Sequence, residues 1–470
     1  MTSSGVNAGG RLDRLPIARF HYRVFSLIGA GLFVDGFEIF LAGSILGALV
    51  QSGWSDLAHN ARFISATFVG MLLGAWVAGV AGDRLGRKFS YQANLLIFGI
   101  SALAASAAPS MDWLIAARFV MGLGLGAEIV VGYVVLSEFV PPQQRGRWGA
   151  ALATCTNGAL FVATVVSWAI VPVLGWRWMF VLCGIGALLV WFLRRSLPES
   201  PRWLESKGRD QEAEAVLTAI ENEVAATKAL PPAAYQPTPV QPDTRITRLF
   251  SRALLARTIV GCAILIGLNT AVYGFIAWIP TFFVKQGINL SSSLGYTMLM
   301  TLGSPLGTLT AMWVGEKIDR KPSMVALSLA AAGLGLIYPM FINPTAFVVI
   351  GFLLVFTVAM MLALAWGLYI PELFPTELRM RGAGICNTAG RLMSIVTPFV
   401  VVELFTRFGV TGVVSAVAGL LVLQAAVVAL LGIETRNRPL EELRPELIGA
   451  GAGAPRHAAA MEFEPRPPSV

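Results

Sequence analysis

Long apolar runs separated by short polar islands make up most of this chain. At about 20 residues, such a run spans ~30 Å of hydrocarbon as a helix rising 1.5 Å per residue. The pattern predicts spans at 22–50, 61–81, 89–110, 112–138, 148–172, 176–195, 256–284, 292–314, 323–341, 346–370, 382–405 and 410–432. Helix is the required form, because in hydrocarbon every backbone polar group must be satisfied within the segment. A polar stretch separates the sixth and seventh runs. In it, Glu205 to Lys228 has helical charge patterning, and Pro231 to Pro242 is proline-rich and linker-like. The expected organisation is an N-terminal tail (1–21), a six-helix half (22–195), a linker loop (196–255), a second six-helix half (256–432) and a C-terminal tail (433–470). Gly, Ala and Pro after Leu447 predict disorder there.

Composition removes the soluble alternative. The chain is 56% hydrophobic and 13% charged, too little charge to cover a water-facing surface. Of its 35 Lys and Arg residues, 29 gather in the tails and in the loops on the same side as the tails; only Arg62, Arg177, Lys285 and Arg407 fall opposite, and Arg118 and Arg391 lie inside spans. This bias places both termini and the central loop in the cytoplasm. The net charge of +8 is therefore a topology signal scattered over short loops, which excludes a nucleic-acid footprint. Cys155, Cys183, Cys262 and Cys386 sit in apolar runs without metal or redox spacing, so neither disulfide nor metal is expected. His21, His59 and His457 all lie away from mid-span, so any proton relay must use carboxylates. The Gly/Ser-rich start up to Gly10 lacks a short apolar core and cleavage site, and predicts a retained tail.

The halves repeat. Gly82-Asp83-Arg84-Leu85-Gly86-Arg87-Lys88 aligns with Gly315-Glu316-Lys317-Ile318-Asp319-Arg320-Lys321, 233 positions on. Glu138, Pro141 and Arg145 align with Glu372, Pro375 and Arg379, 234 positions on. Two halves in one orientation imply an all-α integral membrane protein of about twelve transmembrane helices, with a pseudo-two-fold along the membrane normal and a binding site between halves near the midplane.

These segments resemble the major facilitator superfamily over residues 11 to 445. Gly82 to Lys88 is similar to its loop between helices 2 and 3, and Arg118, Gly122 and Gly124 to the start of its fourth helix. Pro198-Glu199-Ser200-Pro201-Arg202-Trp203-Leu204 resembles the sugar-porter-type motif after helix 6; Tyr369, Glu372-Leu373-Phe374-Pro375-Thr376, Arg379, Gly382 and Gly384 resemble the motif after helix 10. Asp35-Gly36-Phe37-Glu38 is similar to an element of aromatic-acid/proton symporters, and Gly390 to Pro398 looks like organic-anion members of the organic-ion/synaptic-vesicle-protein branch. With Leu12 to Pro16 and Arg19 to Arg23 ahead of the first span, the chain looks most like bacterial nicotinate-type and aromatic-acid permeases. It lacks the large first outer loop of vertebrate organic-ion carriers, and Asp319 replaces the turn glycine of the second-half repeat.

An ionisable residue inside a span costs at least ~2.5–3.5 kcal/mol and is a functional candidate by default. Asp35, Glu38, Arg118, Glu128 and Arg391 qualify. Counting the helical rise puts Asp35 roughly 10 Å below the outer surface and Arg118 roughly 9 Å below it. In the superfamily the two helices face one cavity, so Asp35 is expected as the proton acceptor with Arg118 as its gated partner. Desolvation favours the neutral carboxyl and a nearby arginine favours the charged one, so an arginine that moves would move the proton. The alternative is a static ion pair between the first and fourth spans. Glu38, on the same face as Asp35, either shares the proton, lines the path or is solvated at the outer surface. Glu128 is equally a hydrogen-bond acceptor or a proton site. Arg391, roughly 14 Å deep with no acid within a turn, fits a substrate carboxylate across its planar fork; pairing with Glu38, Glu128 or Asp35 is the alternative.

Asn269 and Tyr273 share a face of the seventh span, which also carries Thr270 and Trp278. With Trp366 and Tyr369 of the tenth span and Asn157 of the fifth, they are the candidate pocket wall; Tyr273 and Trp366 lie deepest, whereas aromatics near helix ends are more often interface anchors. The loop residues Asp83, Arg84, Arg87, Glu316 and Arg320, and the pairs Glu138/Arg145 and Glu372/Arg379, are expected as latches whose breakage makes the fold bistable. Gly122, Gly124 and Gly126 permit close helix approach; a nucleotide reading fails because no strand precedes them.

The resulting expectation is a secondary active transporter in the inner or plasma membrane, a monomer without a cofactor. It would use the proton gradient to symport a small organic anion, an aromatic or heteroaromatic carboxylate of nicotinate or benzoate type. A sugar or polyol porter is the rival within the fold, although a sugar offers Arg391 no partner. A non-transporting receptor or scaffold has no use for paired latches. An enzyme would need a nucleophile/base or metal constellation, and the spans present none.

Overall fold

The computed structural model describes residues 6–233, 246–252, 254–341, 343–375 and 378–436. Part of the proline-rich linker, Thr376 of the tenth-helix motif and the tail after Leu447 lie outside the described residues. The chain is an all-α membrane protein of twelve spans in two halves. The first half contains α1 (Arg19–Gln51), α2 (Leu57–Leu85), α3 (Arg87–Ser106), α4 (Met111–Phe139), α5 (Arg145–Leu174) and α6 (Arg177–Leu193).

The second half is less regular. Helix α7 runs Leu255–Gly274, is interrupted by a 3-10 turn at Ile276–Trp278, and ends with Ile279–Lys285. α8 is broken at Leu302 into Leu290–Thr301 and Gly303–Val314, and α9 is Arg320–Ile337. α10 runs Pro344–Leu364, passes through a π turn at Ala365–Tyr369 and ends in Ile370–Leu373. α11 and α12 form a continuous stretch, Arg379–Leu431, divided at Gly409, whose φ of 64° a side chain would strain. Ten helices among the described residues are each long and apolar enough to cross a membrane; dividing one at Gly409 and rejoining the two short pieces of α8 gives twelve.

Glycine sets the closest packing. A side chain at Gly70 or Gly74 of α2 would collide with the carbonyls of Phe119 and Leu123 on α4, and one at Gly122 or Gly126 with those of Thr67 and Met71. The same seam recurs 233 positions later, where Gly303 and Gly307 of α8 meet the backbone of Phe352 and Phe356 on α10. Bare backbones in contact let two helices pack as one body. The helix starts repeat too: Ser110 caps α4 by accepting from the N–H of Trp113, and Asn343 caps α10 by accepting from that of Thr345.

One face, the tail face, carries the N-terminal segment, the linker helix Asp210–Ala225 and the end of α12. Here a short helix, Ala8–Asp13, lies on the linker helix. Arg11 pairs with Glu221 (2.7 Å) and Glu214 (2.5 Å), and Arg14 pairs with Glu221 (2.6 Å). Burial draws the Glu221 carboxyl upward, but hydrogen bonds from Arg11 and Arg14 outweigh it and hold it below the usual range. A carboxyl held down in the folded state stabilises this clasp above its unfolded value of about 4.3 and stops doing so as pH falls through its folded value. Spin labels on the two helices should therefore separate in acid, and Glu221→Gln should weaken the contact at neutral pH and make it less sensitive to acid.

Candidate functional site

Two buried arginines, each paired with a carboxylate, lie against α1. Glu38, fully buried, forms an ion pair from Oε1 to Nη1 of Arg118. Arg118 also donates from Nε to Thr67 Oγ1 at 3.0 Å, and its guanidinium lies 4.5 Å from the Phe63 ring centroid. The expected Asp35–Arg118 contact is therefore replaced by Glu38–Arg118. Asp35 and Glu38 differ by three residues, about 4.5 Å of rise, so an arginine at this depth can reach either. Asp35 is 1% exposed, and neither of its oxygens has a hydrogen-bond partner among the described residues.

Breaking a buried pair leaves an uncompensated charge, which costs about 3–5 kcal/mol, whereas replacing both partners by apolar residues is often neutral. Arg118→Met alone should lower the unfolding midpoint in detergent strongly, and Glu38→Leu with Arg118→Met should recover most of the loss.

The second arginine is Arg194, in the turn that ends α6. It pairs with Glu128 of α4 and is as buried as its partner. By sequence alone it is one of the 29 cations assigned to the tails and loops. The missed signal was Glu128 itself, an acid within a span that needs a cation at its own depth.

In the second half Arg391 of α11 is buried, and its Nε has no partner. Among the described residues no carboxylate pairs with it. The group in electrostatic reach is Tyr273 of α7, whose ring meets Phe68 of α2 edge-on at 4.5 Å between centroids. Arg391 thus lies where the halves meet, beside an aromatic pair that spans them. Asn269 is engaged locally: its Nδ2 donates to the Leu265 carbonyl at 2.7 Å, and its Oδ1 accepts from Ser394 at 3.3 Å. It joins α7 to α11 next to Gly390, where a side chain would come 2.6 Å from its Nδ2. Asn157 and Trp366 are half-buried: the Asn157 carbonyl accepts from the Ser304 hydroxyl of α8 at 3.3 Å, and Trp366 lies in the π turn of α10, which α5 passes. Thr270 donates back to Ile266 in its own helix, Tyr369 hydrogen-bonds the Ile433 carbonyl at 2.9 Å, and Trp278 is buried beside Phe282.

Away from the tail face the halves are closed. A side chain at Gly43 would collide with the Ala277 carbonyl, Gly47 lies against Pro280, Ser65 donates to the Ile395 carbonyl (2.7 Å), and the Thr164 and Thr301 hydroxyls are 2.6 Å apart. Toward the tail face, Gly384 and Thr388 on the same side of α11 as Arg391 are exposed, and Gly367 of α10 borders open space.

The latches close within each half. Arg87 holds Asp83 (2.7 Å) and Glu138 (3.2 Å), while Glu199 accepts from the N–H groups of Arg87 and Lys88 at 3.0 and 3.1 Å. Their counterparts repeat this arrangement: Arg320 holds Glu372 (3.3 Å), and Glu434 accepts from the N–H groups of Arg320 and Lys321 at 2.9 and 3.1 Å. Glu138 and Glu372 therefore pair with Arg87 and Arg320 instead of Arg145 and Arg379. Arg145 turns to Asp13 (2.9 Å), and Asp319 binds Arg436 (3.0 Å). Arg84 and Glu316 are exposed and form no ion pair among the described residues. Arg87 and Arg320 thus each join three chain segments, the start of their own helix, the acid ending α4 or α10 and the acid beyond the half's last helix. Glu199 stands in the motif after helix 6, but its place in the latch, like that of Glu434, is set by tertiary packing that the sequence motif does not reveal.

Comparison with known proteins agrees with this geometry. Residues 28–398 match the Major Facilitator Superfamily. The chain is 39% identical to the inner membrane metabolite transport protein YdjE of Escherichia coli, covering 93% of this chain and 98% of that one. It is 30% identical to the niacin transporter NiaP of Acinetobacter baylyi, over 92% and 98% of the two chains. Among solved structures, the partially occluded inward-open xylose transporter XylE of E. coli superposes with a TM-score of 0.71 at 18% identity, covering 90% of this chain and 100% of that one. At that identity the likeness speaks for the fold alone.

Proposed function

The chain belongs to the major facilitator superfamily, and from that premise we propose that it is a proton-coupled symporter of a small organic anion. The substrate class is an aromatic or heteroaromatic carboxylate of nicotinate or benzoate type. The observation that carries this reading is Arg391, buried at the meeting of the halves without a carboxylate partner among the described residues and beside Tyr273. A buried guanidinium favours a planar anion across its fork, and the Tyr273–Phe68 pair offers ring faces and edges to an aromatic body. The relative named as a niacin transporter handles a substrate of this kind.

In this reading Asp35 and Glu38 carry the coupling, with Arg118 holding Glu38. Arg391, Tyr273 and Trp366 face the substrate, with Asn269 and Asn157 supporting the walls. The tail face is cytoplasmic, so the closed outer contacts and the exposed flank of α11 below Arg391 belong to an inward-facing state. Rocking the halves about the site exchanges this state for its opposite, and the Arg87 and Arg320 latches bias which is populated. The protein works as a monomer in the plasma membrane, driven by the proton gradient without a cofactor.

The test is uptake by proteoliposomes of labelled nicotinate, benzoate, xylose and a polyol, with and without an imposed pH gradient. Gradient-dependent uptake of the carboxylates supports the proposal. Uptake confined to the sugar or polyol would overturn it.

A further inference from the structure

On α1, Leu27, Ile28, Gly31 and Asp35 follow one another along one stripe of the helix. Arg194 is fastened to the lower part of this stripe: its Nε donates to the Leu27 carbonyl at 2.8 Å and its Nη2 to the Ile28 carbonyl at 2.9 Å. Its Nη1 pairs with Glu128 Oε1. Together they occupy the space beside Gly31, where a side chain would collide with Arg194 and come 2.8 Å from Glu128 Oε1. Asp35 stands one turn above Gly31, within electrostatic reach of both. The two oxygens of Asp35 and Oε2 of Glu128 are buried without a hydrogen-bond donor.

Other titratable groups face the cluster without changing its charge. Tyr91 of α3 lies 5.8 Å from the Arg194 guanidinium and donates its hydroxyl to the Leu197 carbonyl. Cys183 of α6 lies within reach of Asp35 and Arg118. Arg118 is already matched by Glu38.

We infer that Asp35, Glu128 and Arg194 form one proton-binding site, in which two carboxyl groups share a single proton against one fixed guanidinium. Two carboxylates and one arginine would leave a net negative charge buried among helices, and an ion out of water costs several kcal/mol. Two carboxyl groups at one site do not both ionise readily. One proton makes the site neutral, and Asp35 is its seat because Glu128 already has the arginine. The proton binds a carboxyl oxygen and leaves to water, so only O–H bonds form and break. Arg194 is tied to main-chain carbonyls of α1, so it acts as a fixed counter-charge that positions the proton. Glu128 sets the occupancy of Asp35. The assignment of this proton to transport rests on the function proposed above; the site itself does not.

The test reads protonation directly, by infrared spectroscopy of the full-length protein in nanodiscs at neutral pH. The wild type should show a protonated-carboxyl band that Asp35→Asn removes. Glu128→Gln leaves one carboxyl facing one guanidinium, so Asp35 should ionise and the band should vanish. Arg194→Gln leaves two carboxyls without a cation, and the band should double. If Arg194→Gln does not fold, the neutral pair Glu128→Gln with Arg194→Gln should keep the wild-type band. A band indifferent to Glu128→Gln, or absent from the wild type, would overturn the inference. In parallel, Glu128→Gln should lose gradient-driven accumulation of labelled nicotinate while keeping nicotinate counterflow; loss of both, or of neither, counts against its part in coupling. A wild type that moves no nicotinate in any mode defeats the substrate assignment, while the infrared result still decides the proton site.

Discussion

Replacing Asp35 by asparagine is expected to reduce gradient-driven accumulation to simple equilibration while leaving exchange intact. A proton falling through two pH units releases about 2.7 kcal/mol, enough in one-to-one symport for roughly 100-fold accumulation. Asparagine matches the shape of aspartic acid but cannot release a proton, so the halves can still rock around bound substrate without harvesting the gradient. Asp35 is fully enclosed and unpartnered, so the substitution removes no ion pair, and the protein should fold normally. The measurement compares uphill uptake with counterflow in the same proteoliposomes. Wild-type accumulation by Asp35→Asn would move the coupling to Glu38, whose pairing with Arg118 makes it the next acid to test.

The other large effect should be seen at Arg391. Lysine there exchanges a two-pronged planar donor for a point charge and should weaken carboxylate binding. Glutamine should weaken it further, because a charged hydrogen bond is worth about 1.5–3 kcal/mol, roughly 10- to 150-fold in affinity. The informative design crosses two ligands with two proteins: the best acid and its uncharged amide, against wild type and Arg391→Gln. If the guanidinium holds the carboxylate, the amide binds wild type poorly and barely notices the substitution. Equal losses for acid and amide would make Arg391 a structural cation and remove the main support for an anionic substrate.

The spans were legible because their signal is local: length and hydropathy are written residue by residue. The repeat located the latch loops for the same reason. Interruptions of α7, α8 and α10 were not legible, since Leu302, Ile276 and Ala365 resemble any other apolar helix residues, and packing against neighbouring helices selects the break. In the site, ionisable residues within spans exposed themselves by their cost. Their pairing did not, because Asp35 and Glu38 lie within one turn and only side-chain reach decides which one Arg118 takes. Arg194 was hidden for a related reason. It closes a helix at the position where basic residues ordinarily meet water, and nothing local distinguishes one that folds back to the carbonyls of Leu27 and Ile28.

The π turn of α10 also explains an arithmetical oddity in the duplication. The glycine seams and helix caps of the two halves keep one spacing, yet Glu372 arrives a residue late relative to Glu138; the span Pro344–Leu373 has 30 residues where Met111–Phe139 has 29. A surplus residue in a regular helix would rotate everything beyond it by about 100° and point Glu372 away from Arg320. The wide turn absorbs the surplus and restores the heading. A one-codon difference between repeats is thereby converted into a mechanical one: the fourth helix is an unbroken rod down to its latch, whereas its twin carries a joint just above. The two gates therefore need not open as mirror images, and the jointed one can bend while the other only tilts.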